Sequence, residues 1–156
     1  MNLLQFVVIG SLATIASAHM CLLSPSQRGS MMGLNKAGAN DCALTMGPCG
    51  GRMPGMNPVM YNRGETITVI VQKNLDHWVM ATPGNFKISL MMENASSPVA
   101  TATVNDMGEA SLSLYTTTLM VPTSASSGKY IIQAVYNTMN PNAPPMFYQC
   151  ADVMIM

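Results

Sequence analysis

The chain has 156 residues, with seven basic side chains against seven acidic ones and only 9% charged residues overall. That length suits one ordinary domain. The balanced charge leaves no basic face for nucleic acid and no electrostatic footprint for a membrane surface. Ser, Thr, Asn, Gly and Pro are abundant, which suits a strand-rich fold with many turns.

Residues 1–18 carry no charged side chain, are apolar over 3–15, and end in Ala16-Ser17-Ala18, a small-x-small cleavage signal. The apolar run is shorter than the roughly 20 residues that span a bilayer, and Gly10, Ser11 and Thr14 interrupt it. It therefore reads as a secretory signal peptide rather than a membrane anchor, leaving a mature chain 19–156 that begins at His19. No later apolar run is long enough to span a membrane, so a secreted, extracellular monomer is expected.

Residues 19–64 show no sustained helical period and read as one short strand followed by a long loop. The four cysteines, Cys21, Cys42, Cys49 and Cys150, all lie beyond residue 18. In an oxidising compartment they read as two disulfides that pin this loop. The Cys42 and Cys49 spacing would also suit zinc, but only two histidines are present and the secretory context favours bridges. Three connectivities are open; the reading leans to Cys150 pairing with Cys42 or Cys49.

From residue 65 the pattern changes to alternation. Ile67, Val69 and Val71 point one way and Thr66, Thr68 and Ile70 the other; Phe86, Ile88 and Leu90 repeat the pattern, as do Leu112 with Leu114, and Ile131 with Gln133 and Val135. The last run, 147–155, is β-prone but alternates less cleanly. Turn clusters at 82–85, 105–108 and 124–128 separate these runs. The expectation is an all-β, immunoglobulin/fibronectin-like antiparallel sandwich over 19–156 as a single domain. Asn94-Ala95-Ser96 is the only N-glycosylation sequon and sits in a turn-like stretch, so glycosylation at Asn94 is expected. Of the 17 methionines, some read as gap-fillers of the core, others fall in loops where burial is harder to arrange, and a compositional habit or the core accounts for most. Those in Gly- and Pro-rich stretches, such as Met31, Met32, Met53 and Met56, also offer soft thioethers suited to Cu(I).

The two histidines, His19 and His77, carry the functional reading. Cleavage after Ala18 gives His19 a free α-amino group, so one residue offers an amine and Nδ1 in a six-membered chelate ring. An imidazole from His77 completes three nitrogens in a T, which suits the tetragonal preference of Cu(II). The amine, with an ordinary pKa near 8, loses its proton at little cost near neutrality.

His19, the segment Leu23-Ser24-Pro25-Ser26-Gln27-Arg28-Gly29, the turn Gly47-Pro48-Cys49-Gly50-Gly51, His77 ahead of Pro83-Gly84-Asn85-Phe86-Lys87-Ile88, and the closing Phe147-Tyr148-Gln149-Cys150-Ala151-Asp152-Val153 occur in that order. Together they resemble the lytic polysaccharide monooxygenase superfamily, including its small non-oxidising copper-binding relatives. The resemblance implies an immunoglobulin-like sandwich with one copper ion in a histidine brace. His19 would supply amine and Nδ1, His77 would supply Nε2, and Phe147 would be the axial neighbour of the copper. It implies chitin or a related extracellular polysaccharide as partner, with Trp78, Tyr61 and Tyr148 as candidate sugar contacts. Asp76, Asp106 and Asp152 are candidates for the carboxylate ligand that the small relatives often add. Pro145 departs from the pattern, standing where some members carry a Gln that handles bound oxygen. The leading function is therefore secreted copper binding, with oxidative attack on polysaccharide left open and no residue assigned as catalytic. A structural or matrix protein of an extracellular layer, cuticle or mineralised shell, reusing the fold, is the alternative.

Overall fold

The computed structural model describes residues 19–156; the expected signal peptide and its cleavage motif lie outside the described residues. Eight strands follow in order: β1 His19–Ser24, β2 Val59–Tyr61, β3 Thr66–Leu75, β4 Asn85–Met92, β5 Ala100–Asn105, β6 Ser113–Met120, β7 Gly128–Asn137 and β8 Met146–Ile155. The only helical element among the described residues is a 3-10 turn, Asn40–Cys42. The strands form two sheets, ordered β1-β3-β6 and β2-β8-β7-β4-β5. Every pairing is antiparallel except β2 with β8, which is parallel.

Alternation turns one face of each sheet inward. Met20 and Leu22 of β1, Ile67, Val69 and Val71 of β3, and Tyr115 and Leu119 of β6 meet Phe86, Ile88 and Leu90 of β4, Ile132, Ala134 and Tyr136 of β7, and Phe147, Ala151, Val153 and Ile155 of β8 in one core. Two sheets sharing one core are an immunoglobulin-like β-sandwich. The phases expected for β3 and β4 hold. Two others are corrected. The residues of β6 that face the core are Tyr115 and Leu119, whereas Leu114 is exposed and Leu112, at φ 73°, belongs to the turn before the strand. In β7 the core face is Tyr130, Ile132, Ala134 and Tyr136; Ile131 lies on the opposite face, against the Cys49–Cys150 bridge.

That second face is where the long loop lies. The disulfides are Cys21–Cys42 and Cys49–Cys150. The first ties the loop to β1 and the second lays it across β8 and β7. Arg28 N–H donates to the Cys150 carbonyl (2.7 Å) and Tyr148 N–H donates to the Leu44 carbonyl (2.8 Å). The loop thus covers the stretch of the β8 edge that the short β2 does not reach, which blunts an open edge. Arg28, inside the segment that carries part of the family resemblance, is buried and bonds Asp152 (2.5 and 3.0 Å) and Glu93 (2.8 Å). Burial pulls the guanidinium pKa down, but the two carboxylates outweigh it and hold the pKa above its ordinary value.

The methionines divide between core and loops, with more of them at the surface than in the core. Met20 is buried, whereas Met32, Met53, Met56, Met80 and Met107 are each more than 70% exposed. The core is filled by β-branched and aromatic residues instead, and most thioethers face solvent.

Candidate metal centre

The register brings the two histidines to one end of the sandwich. His19 opens β1 opposite Leu75, the last residue of β3, and His77 follows two residues later. Both residues are buried, at 5% and 8% exposure. Phe147, near the start of β8, is buried beside them, its ring stacked on that of His19 at 6.3 Å between centroids and 19° between planes.

The chain holding His77 is fixed from several sides. Asp76 Oδ1 accepts the Trp78 N–H at 2.9 Å, a local Asx turn that ends the strand. Asp76 N–H donates to Ser111 Oγ (2.9 Å), and Asn140 Nδ2 donates to the His77 carbonyl (2.8 Å). The side chain of His77 is treated differently: its Nε2 is buried with no hydrogen-bond partner among the described residues, and so is Trp78 Nε1 next door. Leaving such an atom unpaired costs about 1–3 kcal/mol, and orphaned polar atoms of this kind mark places where an ion or water belongs. A neutral imidazole nitrogen is a good ligand for Cu(II), so His77 fits the metal that the sequence implies. Among the described residues, no group of three or more His, Cys, Asp or Glu side chains could hold a metal ion. A three-nitrogen site would therefore need the His19 amine.

The three carboxylate candidates separate clearly. Asp76 adjoins His77, half-buried, and takes the Lys73 ammonium at 2.9 Å. Asp106 is wholly buried and already engaged: Lys73 Nζ (2.7 Å), the Tyr136 hydroxyl (2.5 Å) and Gly108 N–H (3.0 Å) donate to it, and the Tyr115 hydroxyl shares its one proton between Asp106 (3.0 Å) and the closer Glu109. Asp152 belongs to the Arg28 cluster and also accepts Gly55 N–H (2.7 Å). It lies five residues along β8 from Phe147, about 16 Å at the usual rise. Only Asp76 stays in reach by position.

The sugar-contact candidates separate in the same way. Trp78 is half-buried, and its ring covers Gly108, whose φ of +87° and missing Cβ admit it. Tyr148 points from the opposite face of β8 to Phe147, packs on Gly47, and donates to Met146 Sδ at 3.2 Å. Tyr61 pairs with Ile155 at the far end of β8, roughly 26 Å from Phe147 by strand rise. It cannot share a sugar with the histidines. Pro145 is exposed and gives its carbonyl to Thr138 N–H (3.1 Å). Asn94 is exposed in the turn after β4.

Two further buried polar side chains support the site. Gln149, wholly buried on the same face of β8 as Phe147, donates Nε2 to the carbonyls of Met20 (3.1 Å) and Asp41 (2.7 Å), holding β1 just behind His19. Lys73, wholly buried, bonds Asp76 and Asp106 and so ties the end of β3 to the turn at 105–108. Burial pushes the Asp106 carboxyl up, but hydrogen bonds from Lys73, Tyr136 and Gly108 and the charge of Lys73 outweigh it, and the pKa falls below the ordinary carboxylate range. Burial, then Glu109 and Asp106, raise the Tyr115 pKa; burial and Asp106 raise that of Tyr136, so both phenols remain donors. Both groups leave a trace in sequence, as polar residues at inward positions of an alternating run.

No family model matches the chain, and no curated protein sequence matches it. Among solved structures, it is similar to a cellulose-active polysaccharide monooxygenase from M. thermophila, with TM-score 0.46 and 12% identity over 69% of this chain and 57% of that one. It is also similar to T. fusca AA10A, with TM-score 0.37 and 15% identity over 64% of this chain and 52% of that one. The chain thus spans little more than half the length of either. At these identities no residue role carries across.

Proposed function

We propose that this is a secreted copper-binding protein whose mature chain begins at His19 and holds one Cu(II) in a histidine brace. His19 contributes its amine and Nδ1, and His77 contributes Nε2. The observation that carries this reading is the buried, unpartnered Nε2 of His77 at the strand end opposite His19. Phe147 stacks its apolar ring on that of His19 and would offer a bound ion no donor from that side. Asp76 fixes the turn, Asn140 fixes the His77 backbone, and Gln149 fixes β1. Copper held there would supply one-electron redox chemistry near the protein surface.

The reading favours copper carriage, with binding to chitin-like polysaccharide as a secondary property, over polysaccharide oxidation. Of the three candidate sugar platforms, one lies at the far end of the sheet and one turns toward the loop. The test is calorimetric titration of the protein starting at His19 with Cu(II). One ion should bind tightly, and His77→Ala should weaken binding by orders of magnitude. Unchanged affinity in His77→Ala contradicts the assignment. A mature N-terminus at any residue other than His19, read by mass spectrometry, would favour the matrix-protein alternative.

A further inference from the structure

A groove of about 430 Å³, linked to His77 through the Asn140 bond to its backbone carbonyl, is lined by two thioethers, Met139 and Met146, with Thr82, Asn137, Asn140 and two prolines. The two methionines are 59% and 39% exposed, so neither contributes much to the core. The loop that carries Met139 is braced. Thr138 N–H donates to the Pro145 carbonyl (3.1 Å), Thr138 Oγ to the Pro144 carbonyl (2.9 Å), and Asn142 N–H to Asn140 Oδ1 (2.8 Å). Met139 sits at φ 51°, a left-handed position that a side chain adopts only when its surroundings hold it there. The harder donors of this groove are the Thr82 hydroxyl and the side-chain amides of Asn137 and Asn140. The Asn140 amide is turned to the His77 carbonyl, and the Asn137 amide donates to Asn85 Oδ1 (2.9 Å). The Tyr148 hydroxyl occupies one lone pair of Met146 Sδ and leaves the other.

We propose that Met139 and Met146 form a second metal site in this groove, one that takes a soft monovalent ion, Cu(I), rather than Cu(II). Thioethers select Cu(I), whereas imidazole and amine nitrogens suit Cu(II). The two sites therefore divide the ion by oxidation state, joined through Asn140, which lines one and holds the backbone of the other. The grooves at Met56 and at Met92 hold one thioether each. The inference rests on the copper reading for the identity of the ion, but its test does not.

The probe is Ag(I), which is soft, monovalent and redox-inert, titrated into protein labelled with 13C at the methionine methyl groups. The Met139 and Met146 resonances should shift together, at one equivalent, before those of Met32 and Met56. Met139→Leu and Met146→Leu should each weaken binding by at least the roughly 10–100-fold that loss of a mere outer-shell partner costs. Met56→Leu should leave affinity unchanged, and anaerobic Cu(I) should follow the same order. His77→Ala should keep the Ag(I) response while losing Cu(II). The proposal is overturned if Met139 and Met146 respond no sooner than the isolated methionines, or if either leucine variant binds Ag(I) as the parent does.

Discussion

Replacing Lys73 with Met keeps the length and apolar stem of the side chain and removes only the ammonium. In the parent, that ammonium lies wholly buried between Asp106, also wholly buried, and the half-exposed Asp76. Without it the Asp106 carboxylate keeps the Tyr136 hydroxyl, Gly108 N–H and a Tyr115 hydroxyl shared with Glu109, and loses the one cation paired with it among the described residues. Breaking a buried pair by removing one partner costs about 3–5 kcal/mol, because the remaining charge is stranded. The Asp76 contact adds less, because the carboxylate that Lys73 meets there is partly open to solvent, whose screening brings such a pair toward the roughly 1 kcal/mol of surface ion pairs. The expected loss is therefore about 3–5 kcal/mol in urea unfolding, seen as a lower midpoint at unchanged slope. Adding Asp106→Asn to Lys73→Met removes the stranded charge, so the double variant should be more stable than Lys73→Met alone. A loss under about 1 kcal/mol for Lys73→Met, or strict additivity in the double variant, would refute the claim that this pair holds the end of β3.

Acid should erode the same network. The Asp106 carboxyl has a folded pKa below its unfolded value, so its contribution is fully present above the ordinary carboxylate range, near 4, and is lost as pH falls through the depressed value. Unfolding midpoints measured from pH 6 downward should fall less steeply in Asp106→Asn than in the parent. Of the disulfides, Cys49–Cys150 closes a 101-residue separation and Cys21–Cys42 one of 21. The chain-entropy relation gives about 4–5 kcal/mol for the longer loop and about 3 for the shorter, so the Cys49→Ala/Cys150→Ala pair should lower the melting temperature more than its counterpart. Copper-loaded protein incubated with β-chitin, a reductant and peroxide should release no oxidised oligosaccharides, as chromatography with mass detection would show; robust release abolished by His77→Ala would make it a monooxygenase.

What could be read from the sequence follows from side-chain size and period. Ile67, Val69 and Val71, and Phe86, Ile88 and Leu90, alternate with polar or small partners and are all core residues. Strand β5, Ala-Thr-Ala-Thr-Val-Asn, has the same period but side chains too small to register, and β2 spans only three residues. In β6 the large residues Leu112 and Leu114 gave the wrong phase, because the turn at Leu112 precedes the strand and Tyr115 takes the core position. Phe147, which the resemblance implies as the axial neighbour of a copper ion, stacks its ring on that of His19. Tyr61 could not be placed without the β2–β8 register, which sets it at the other end of the sheet. Lys73 continues the inward parity of Ile67, Val69 and Val71, which marks it as buried, but its partner Asp106 lies 33 residues away and only the fold brings the two together.

The central claim is that three nitrogens from two residues hold the ion, and counting those nitrogens tests it most directly. The protein beginning at His19, loaded with one equivalent of Cu(II), should give an axial electron paramagnetic resonance spectrum with couplings to three nitrogens, one of them an amine. Adding a single Gly before His19 should abolish the amine coupling and weaken binding, because the chelate ring can no longer close. A spectrum that is unchanged by that added residue would contradict the brace.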